Sequence, residues 1–299
     1  DVYKRQVGAG LLLQPAGLAV FEHLGILPDT LKLGAIVTGL EGRLANQRLL
    51  VNSHYHEVDP QHYGIGIHRA TLCHLLSSKL QDYAASVTWK MAHDIHRLQE
   101  HQQGVTIFGQ HLGLPFESNF DAVIIANGAR SHLRPTSWVK VDKPYPWGAV
   151  WSIVPECQTL DPQILHQFYD HSQIMMGILP TGAIPQAPTQ RLSSVFWSLP
   201  AQQLQLFLDN PDKHEFLLQQ ISPRWKPVAD WLEQVMQKQD SLQWLSAQYR
   251  DVVMTKFGQG RIGVIGDAAH AMSPQLGQGA NMALLDAWAL GQALSLIHI

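Results

Sequence analysis

Residues 260–287 read GRIGVIGDAAHAMSPQLGQGANMALLDA. A short apolar strand leads into Gly266 and Asp267, a loop follows with glycines at 277 and 279, and an amphipathic helix comes next. A glycine-rich loop at the start of a helix brings backbone N–H groups and the positive end of the helix dipole to one point, and Asp267 adds a carboxylate there. The stretch therefore predicts a cofactor-binding loop in an α/β fold.

This stretch resembles the second flavin motif of the class A FAD-dependent monooxygenases, the para-hydroxybenzoate hydroxylase-like family of aromatic-ring hydroxylases. The resemblance implies that Asp267 binds the ribityl hydroxyls of FAD, that Pro274 lies beside the reactive edge of the flavin, and that the backbone of residues 277–281 meets its pyrimidine end. The flavin-binding residues predicted here are Gly266, Asp267, Pro274, Gly277, Gln278, Gly279, Ala280 and Asn281. An ordinary strand-loop-helix connection with two turn glycines is the alternative interpretation.

Two further stretches resemble motifs of the same family. Residues 68–72 read HRATL, and the resemblance implies that Arg69 reaches the flavin cofactor. Residues 121–134 read DAVIIANGARSHLR, a continuous apolar run typical of a buried parallel strand, followed by a turn at Asn127 and Gly128. In the family this motif serves both FAD and the nicotinamide donor, so the resemblance implies that Asn127 and Gly128 bind the cofactor. The family usually has aspartate where this chain has Asn127. Because asparagine keeps the acceptor oxygen but lacks the charge, coupling to NAD(P)H is in question.

The family's first flavin motif, a Gly-x-Gly-x-x-Gly turn within a βαβ unit, does not occur in this sequence. Residues 7–15 read VGAGLLLQP and resemble the family's next landmark, so Gly8 and Gly10 are predicted to contact the cofactor. A simple turn at the start of a helix is the alternative. We therefore expect a fragment that lacks the N-terminal glycine motif and the C-terminus.

The two ends of the chain are related through DNA. Residues 1–6 can be encoded by GATGTGTATAAGAGACAG, and the reverse complement of this segment translates as residues 294–299. The segment resembles a transposase adaptor used in sequencing libraries. Residues 1–6 and 294–299 are therefore expected to be translated adaptor and to carry no information about the natural fold.

The composition indicates a globular enzyme. The 299 residues are 45% hydrophobic and 15% charged, enough for a sizeable core. A net charge of −3 predicts no nucleic-acid partner, and no apolar run reaches the ~20 residues of a transmembrane segment. Two distant cysteines argue against disulfides and favour a cytoplasmic location, and the histidine pairs predict no metal site. The oligomeric state is not predicted.

The residue pattern predicts two domains. Residues 7–135 and 255–293 are expected to form an incomplete Rossmann-like FAD-binding domain, and residues 136–254 an inserted substrate domain of mixed β-sheet plus helices. Residues 40–66 are candidates for further strands of the substrate domain. Strands are also expected near residues 87–90, 95–99 and 105–108. Three aromatic residues are candidates for the lining of a ring-binding pocket: Trp147, Trp151 and Trp197.

The resemblance implies a FAD-dependent monooxygenase. In this scheme NAD(P)H reduces FAD, O2 adds to give a flavin C4a-hydroperoxide, and an aromatic or similar ring substrate is hydroxylated. No serine nucleophile motif or carboxylate pair is visible, which fits chemistry carried by a cofactor, and no catalytic side chain is assigned. Two alternatives remain open: a flavin-dependent reductase or dehydrogenase, and a degenerate non-catalytic flavin-binding protein.

Overall fold

The computed structural model describes residues 9–171, 173–238 and 242–297. Within these ranges the chain forms two compact units. Unit 1 comprises residues 82–145 and 249–297, and unit 2 comprises residues 9–81 and 146–248. No helix in the described ranges combines the length and the apolar character needed to cross a membrane.

Strands and helices alternate in the first part of the chain, and strands dominate its middle. The strands are β1 (Gly10–Leu13), β2 (Ala35–Val37), β3 (Gly39–Leu44), β4 (Leu49–His54), β5 (Gly64–His68), β6 (His93–His101), β7 (Gly104–His111), β8 (Leu114–Phe120), β9 (Val123–Ile125), β10 (Val139–Pro155), β11 (Ile164–Asp170), β12 (Ile174–Ile184), β13 (Ala187–Pro200), β14 (Leu245–Met254), β15 (Gly258–Gln259) and β16 (Ile262–Val264). The helices are α1 (Pro15–His23), α2 (Leu27–Leu33), α3 (Arg69–Leu80), α4 (Leu204–Asp209), α5 (Lys213–Ile221), α6 (Lys226–Lys238), α7 (Asp267–His270) and α8 (Gly279–Ile297).

A seven-stranded mixed sheet has the order β14-β10-β13-β12-β11-β3-β4. Strands β11 and β3 pair in parallel. The neighbouring pairs β10–β13, β13–β12, β12–β11 and β3–β4 are antiparallel. The parallel pairing joins residues 39–54 to the later strands, so residues 9–81 share a unit with residues 146–248. This division differs from the predicted domains. The assignment of residues 7–135 and 255–293 to one FAD-binding domain stays a prediction.

One face of this sheet is covered by α4, α5 and α6. Helix α6 buries Val228, Trp231, Leu232 and Val235, a spacing of three and four residues that places them on one side. They join a hydrophobic core that contains Trp197. Core formation of this kind is driven by the removal of apolar surface from water.

The opposite face of the sheet is crossed by the small sheet β1-β5-β2. The two backbones approach closely at Gly66, where an added Cβ atom would lie 1.8 Å from the carbonyl oxygen of Pro180. No side chain fits there, so glycine is required at this crossing. Near it, the backbone N–H of Gly10 donates to Ser194 Oγ at 3.1 Å.

Unit 1 contains two three-stranded sheets, β6-β7-β8 and β15-β16-β9. Strand β9 pairs in parallel with β16, and Ile125 is buried against Trp138, Val252 and Val264. Ile124 points to the other side of β9 and is 40% exposed. The predicted parallel strand is present, but it is buried on one face only, because the described residues cover only one side of β9.

The prediction of a strand at residues 87–90 is wrong. These residues form no regular element, and Val87, Trp89 and Lys90 are exposed before β6 begins. No described strand pairs with them. Their β-propensity has no neighbouring strand to satisfy it, and tertiary context overrides propensity.

Candidate functional site

The loop between β16 and α8 has the backbone that its glycines require. Gly266 has φ +61° and ψ −147°, a conformation that is essentially confined to glycine, and it directly precedes α7. A single 3₁₀ turn at Pro274–Leu276 follows, and Gly277 ends this turn in the left-handed region. The chain then enters α8, so the predicted strand-loop-helix arrangement is present.

Asp267 lies where a polar ligand could meet both the loop and α8. Its side chain is exposed, and its Oδ1 atom lies 3.8 Å from the point where a Cβ atom on Gly279 would be. Gly279 is the first residue of the 19-residue helix α8. Because a helix N-terminus carries unpaired N–H groups and a partial positive charge, this corner offers acceptor and donor groups side by side.

Asn281 is buried and forms a hydrogen bond to the backbone of the loop. Its side chain has no solvent exposure, and its Nδ2 atom donates to the carbonyl oxygen of Gly277 at 2.9 Å. Pro274 is exposed, and Gln278 and Ala280 are half-buried. We infer that Asn281 supports the loop through this bond, whereas Asp267 and Pro274 present their side chains to solvent.

Arg134 connects the two motifs of unit 1. It is 6% exposed, and its guanidinium donates to the carbonyl oxygens of Ala268 at 2.9 Å and Ala129 at 3.0 Å. The same group pairs with Asp142 at 3.0 Å. The turn after β9 and the first turn of α7 are thus fastened to one buried cation, and its charge is compensated by a carboxylate.

The turn after β9 contains Asn127 and Gly128. Asn127 is exposed, and Gly128 has φ +87° with open space around the point where a Cβ would stand. The N–H of Ser131 donates to the Gly128 carbonyl oxygen at 3.0 Å and closes the turn. An open glycine turn of this kind lets a ligand approach the backbone.

The remaining predicted cofactor residues belong to unit 2 or lie outside the described residues. Gly8 lies outside them, as do residues 1–6. Gly10 begins β1, and Arg69 is exposed as the first residue of α3. His68, buried before it, caps α3 by accepting the Ala70 N–H on Nδ1 at 3.1 Å. Burial and, to a smaller extent, the charge of Arg69 lower the pKa of His68, which favours the neutral form that this cap needs.

The structure does not bring the three predicted pocket tryptophans together. Trp151 is paired with Phe196 and Trp197 with Val150, so Trp151 and Trp197 project from opposite faces of the sheet. Trp197 is 3% exposed in the core beneath the helices. Trp147 and Trp151 share the other face, where the Trp151 and Phe196 ring centroids are 4.9 Å apart. Trp197 is therefore a core residue, and its place in the pocket prediction is corrected.

Two residues that hold the loop in place, His270 and Asp286, were not predicted from the sequence. Asp286 accepts from the Gly266 N–H at 2.7 Å and lies 2.6 Å from His270 Nε2. Both bonds join α8 to α7 across 16 or more residues. The only sequence signal was the presence of His270 and Asp286 within the same 28-residue motif.

A family model described as "FAD binding domain" matches residues 4–298. The chain belongs to the FAD binding domain family. This family member is 25% identical over 97% of its length to the aurachin C monooxygenase/isomerase of Stigmatella aurantiaca, of which it covers 72%. It is 65% identical over 34 residues, 11% of the chain, to the 2-heptyl-3-hydroxy-4(1H)-quinolone synthase of Pseudomonas aeruginosa, of which the match covers 9%.

Among solved structures, PqsL of P. aeruginosa in complex with 2-aminobenzoylacetate resembles this family member with a TM-score of 0.80 and 21% identity. The similarity covers 98% of this chain and 77% of that chain, and at this identity it concerns the fold. The predictions of the fold class and of the class A FAD-dependent monooxygenase family are confirmed.

The residues of this family member fit FAD. The exposed Asp267 carboxylate beside the start of α8 can accept hydrogen bonds from hydroxyl groups, and the open turn at Gly128 leaves its backbone accessible. Asp267, Gly279 and Pro274 would hold the flavin part. When bound and reduced, FAD would supply the activation of oxygen, and the protein would supply binding and orientation.

Proposed function

We propose that this protein hydroxylates a nitrogen-containing aromatic ring, with FAD as cofactor, NAD(P)H as electron donor and O2 as the oxygen source. The observation that carries the proposal is the corner formed by Asp267 and the start of α8, held by Asn281 and Arg134. Every residue that shapes this corner lies in or contacts a motif of the flavin monooxygenases.

The similar proteins support the ring chemistry. One of them is a synthase of a 4(1H)-quinolone, and PqsL binds 2-aminobenzoylacetate. Both compounds carry nitrogen and a carbonyl oxygen on or beside an aromatic ring. In unit 2, the face of the seven-stranded sheet opposite the helices carries Trp151 and Phe196 with the partly buried Met175. Such an apolar, aromatic surface suits a flat ring.

The protein's own groups in this scheme bind and orient. Asp267 accepts from hydroxyl groups of the cofactor, and the N-terminus of α8 stabilises negative charge that develops near it. The aromatic face holds the ring and excludes water from it. No side chain of this face is assigned a proton-transfer role.

The test is aerobic turnover by the protein reconstituted with FAD. NADH and NADPH oxidation is measured with and without 4-quinolones, aminobenzoyl acids and hydroxypyridines under ¹⁸O2, and the products are analysed by mass spectrometry. We expect oxidation that a ring substrate stimulates, with one ¹⁸O atom in the product. Ring-stimulated oxidation that proceeds equally well without oxygen would instead identify a reductase or dehydrogenase.

Asp267→Ala is the matched variant for this test, with Glu117→Ala as control. Glu117 is exposed on β8 of the same unit, and its side chain makes no hydrogen bond to any described residue. Loss of one hydrogen-bonding carboxylate is expected to raise the FAD dissociation constant about tenfold or more in Asp267→Ala. Equal FAD affinity in the two variants would contradict the assignment of Asp267.

A further inference from the structure

A row of directly paired residues crosses the seven-stranded sheet of unit 2. From the β4 edge inward it consists of Val51, Gly42, Gln167, Gly177, Phe196 and Trp151. Residues that pair directly project from the same face. Gln167 therefore lies on the aromatic face with Phe196 and Trp151, and not on the helix-covered face.

Aromatic rings occupy the space that the two glycines of this row leave. Phe196 Cζ lies 2.0 Å from the point where a Cβ atom on Gly177 would be, and Tyr169 Cε2 lies 3.0 Å from the corresponding point on Gly42. Gly177 and Gly42 are the residues paired with Gln167 on its two sides. The amide side chain thus stands between two aromatic rings, with no charged residue in the row.

Of the two polar atoms of the Gln167 side chain, only the oxygen has a hydrogen-bond partner among the described residues. Gln167 is 6% exposed, and its Oε1 atom accepts the hydroxyl of Tyr169. No described residue accepts a hydrogen bond from its Nε2 atom, and this nitrogen is not completely enclosed by protein. Its two N–H donors can therefore be reached by water or by an acceptor atom of a ligand.

Tyr169 determines which end of the amide is free. A phenol that donates to Oε1 holds the amide so that its NH2 group, not its oxygen, is available on the aromatic face. Burial raises the pKa of Tyr169, so the hydroxyl stays protonated and keeps donating at neutral pH.

We propose that Gln167 is a specificity-determining residue that donates a hydrogen bond from Nε2 to an acceptor oxygen on the substrate ring. The ligand class is a flat, uncharged aromatic ring that carries a carbonyl oxygen, packed against Phe196 and Trp151. This inference rests on the proposed function, since it names the feature of the substrate that the same protein selects. A site that offers only donors at this point discriminates against a ring that lacks the acceptor.

The test compares two flat rings that each carry an N–H group, 4(1H)-quinolone and indole, of which only the quinolone has an acceptor oxygen. Their dissociation constants are measured by equilibrium dialysis on the FAD-loaded protein, wild type and Gln167→Leu. We expect the wild type to bind the quinolone at least tenfold more tightly than indole, and Gln167→Leu to reduce this preference to about twofold or less. Gln202→Leu, at an exposed position of the same unit, is the control and is expected to keep the preference.

A second variant separates recognition from folding. Tyr169→Phe keeps the Gln167 amide but removes the group that orients it, so the preference is expected to fall between those of wild type and Gln167→Leu. FAD content and the thermal unfolding temperature of each variant confirm an intact fold.

A wild type without preference for the quinolone, or a folded Gln167→Leu that retains the full preference, would overturn the inference. The proposed function has its own readout, ¹⁸O incorporation, and the binding ratio is read without turnover. The two can therefore fail separately.

Discussion

The carboxylate of Asp286 accepts a hydrogen bond from the backbone N–H of Gly266, with 2.7 Å between Oδ2 and the nitrogen. The same oxygen lies 2.6 Å from His270 Nε2, so one side chain of α8 holds both ends of the four-residue helix α7. Gly266 directly precedes Asp267. The position of the Asp267 carboxylate therefore depends on a residue 19 positions further along the chain.

Removal of this carboxylate is expected to weaken FAD binding. In Asp286→Ala, the Gly266 N–H and His270 lose their acceptor and α7 is free to shift, so we expect the FAD dissociation constant to rise about tenfold. Asp286→Asn keeps an acceptor for Gly266 and should lose less. Flavin fluorescence titration measures both, and equal affinity in wild type and Asp286→Ala would refute the positioning role.

The backbone of Gly266 gives a second prediction. A side chain at φ +61° and ψ −147° is strained, so Gly266→Ala is expected to lower the free energy of unfolding by about 1–3 kcal/mol. The control is Gly291→Ala within α8, where an added Cβ meets no atom within 4 Å. Alanine there should stabilise by roughly 0.5–1 kcal/mol. Urea unfolding compares the two, and changes of the same sign would contradict the prediction.

Replacement of Arg134 is expected to destabilise unit 1. Arg134→Met leaves the carbonyl oxygens of Ala268 and Ala129 without their donor and removes one partner of Asp142. We expect a loss of about 3 kcal/mol in the free energy of unfolding, because buried acceptors and a carboxylate are left less well paired. In Arg134→Lys the single ammonium group cannot reach all three acceptors, so this variant should recover only part of the lost stability. A denaturation midpoint unchanged in Arg134→Met would refute this.

The pKa of His68 predicts a pH dependence. Because the folded state lowers this pKa, the unfolded chain takes up a proton first as the pH falls below about 6.5, and stability decreases in that direction. Protonation would also remove the Nδ1 acceptor that caps α3. His68→Asn keeps a capping oxygen but does not titrate, so its unfolding free energy should change less between pH 7.5 and pH 5.5. An identical pH profile in wild type and variant would exclude His68.

Trp197 and Trp151 are expected to respond differently to truncation. Trp197→Ala removes a ring from the core beneath the helices and should cost about 3–5 kcal/mol of stability. Trp151→Ala changes the half-buried aromatic face, where we expect a smaller loss of stability and weaker binding of 4(1H)-quinolone. Thermal unfolding and equilibrium dialysis distinguish the two effects. Weaker quinolone binding in Trp197→Ala, with unchanged binding in Trp151→Ala, would contradict the assignment of the ring to the face that carries Trp151.

Much of the candidate site was predictable because it is local in sequence. The strand, the glycine loop and α8 lie within residues 260–287, and the turn glycines leave the backbone few alternatives. Helix α6 was also predictable, since its apolar residues recur every three to four positions.

Strands β8, β11 and β14 were not predicted. In β11 the polar residues His166 and Gln167 are buried next to each other, so the strand shows no alternation of apolar and polar residues. Only its pairing with β3 and β12 explains why they are inside. Strand β8 is largely exposed, and β14 is buried only near its C-terminal end, so their patterns carry little hydrophobic signal.

The sequence alone was enough to identify the flavin family and the loop around Asp267, because short-range backbone geometry limits which residues such a loop accepts. The tertiary structure decided what long-range pairing controls: Asp286 at Gly266, Arg134 between two motifs, Trp197 in the core and Gln167 on the aromatic face. A one-residue change of register moves a side chain to the other face of a sheet, and no local pattern records which strand will be the neighbour.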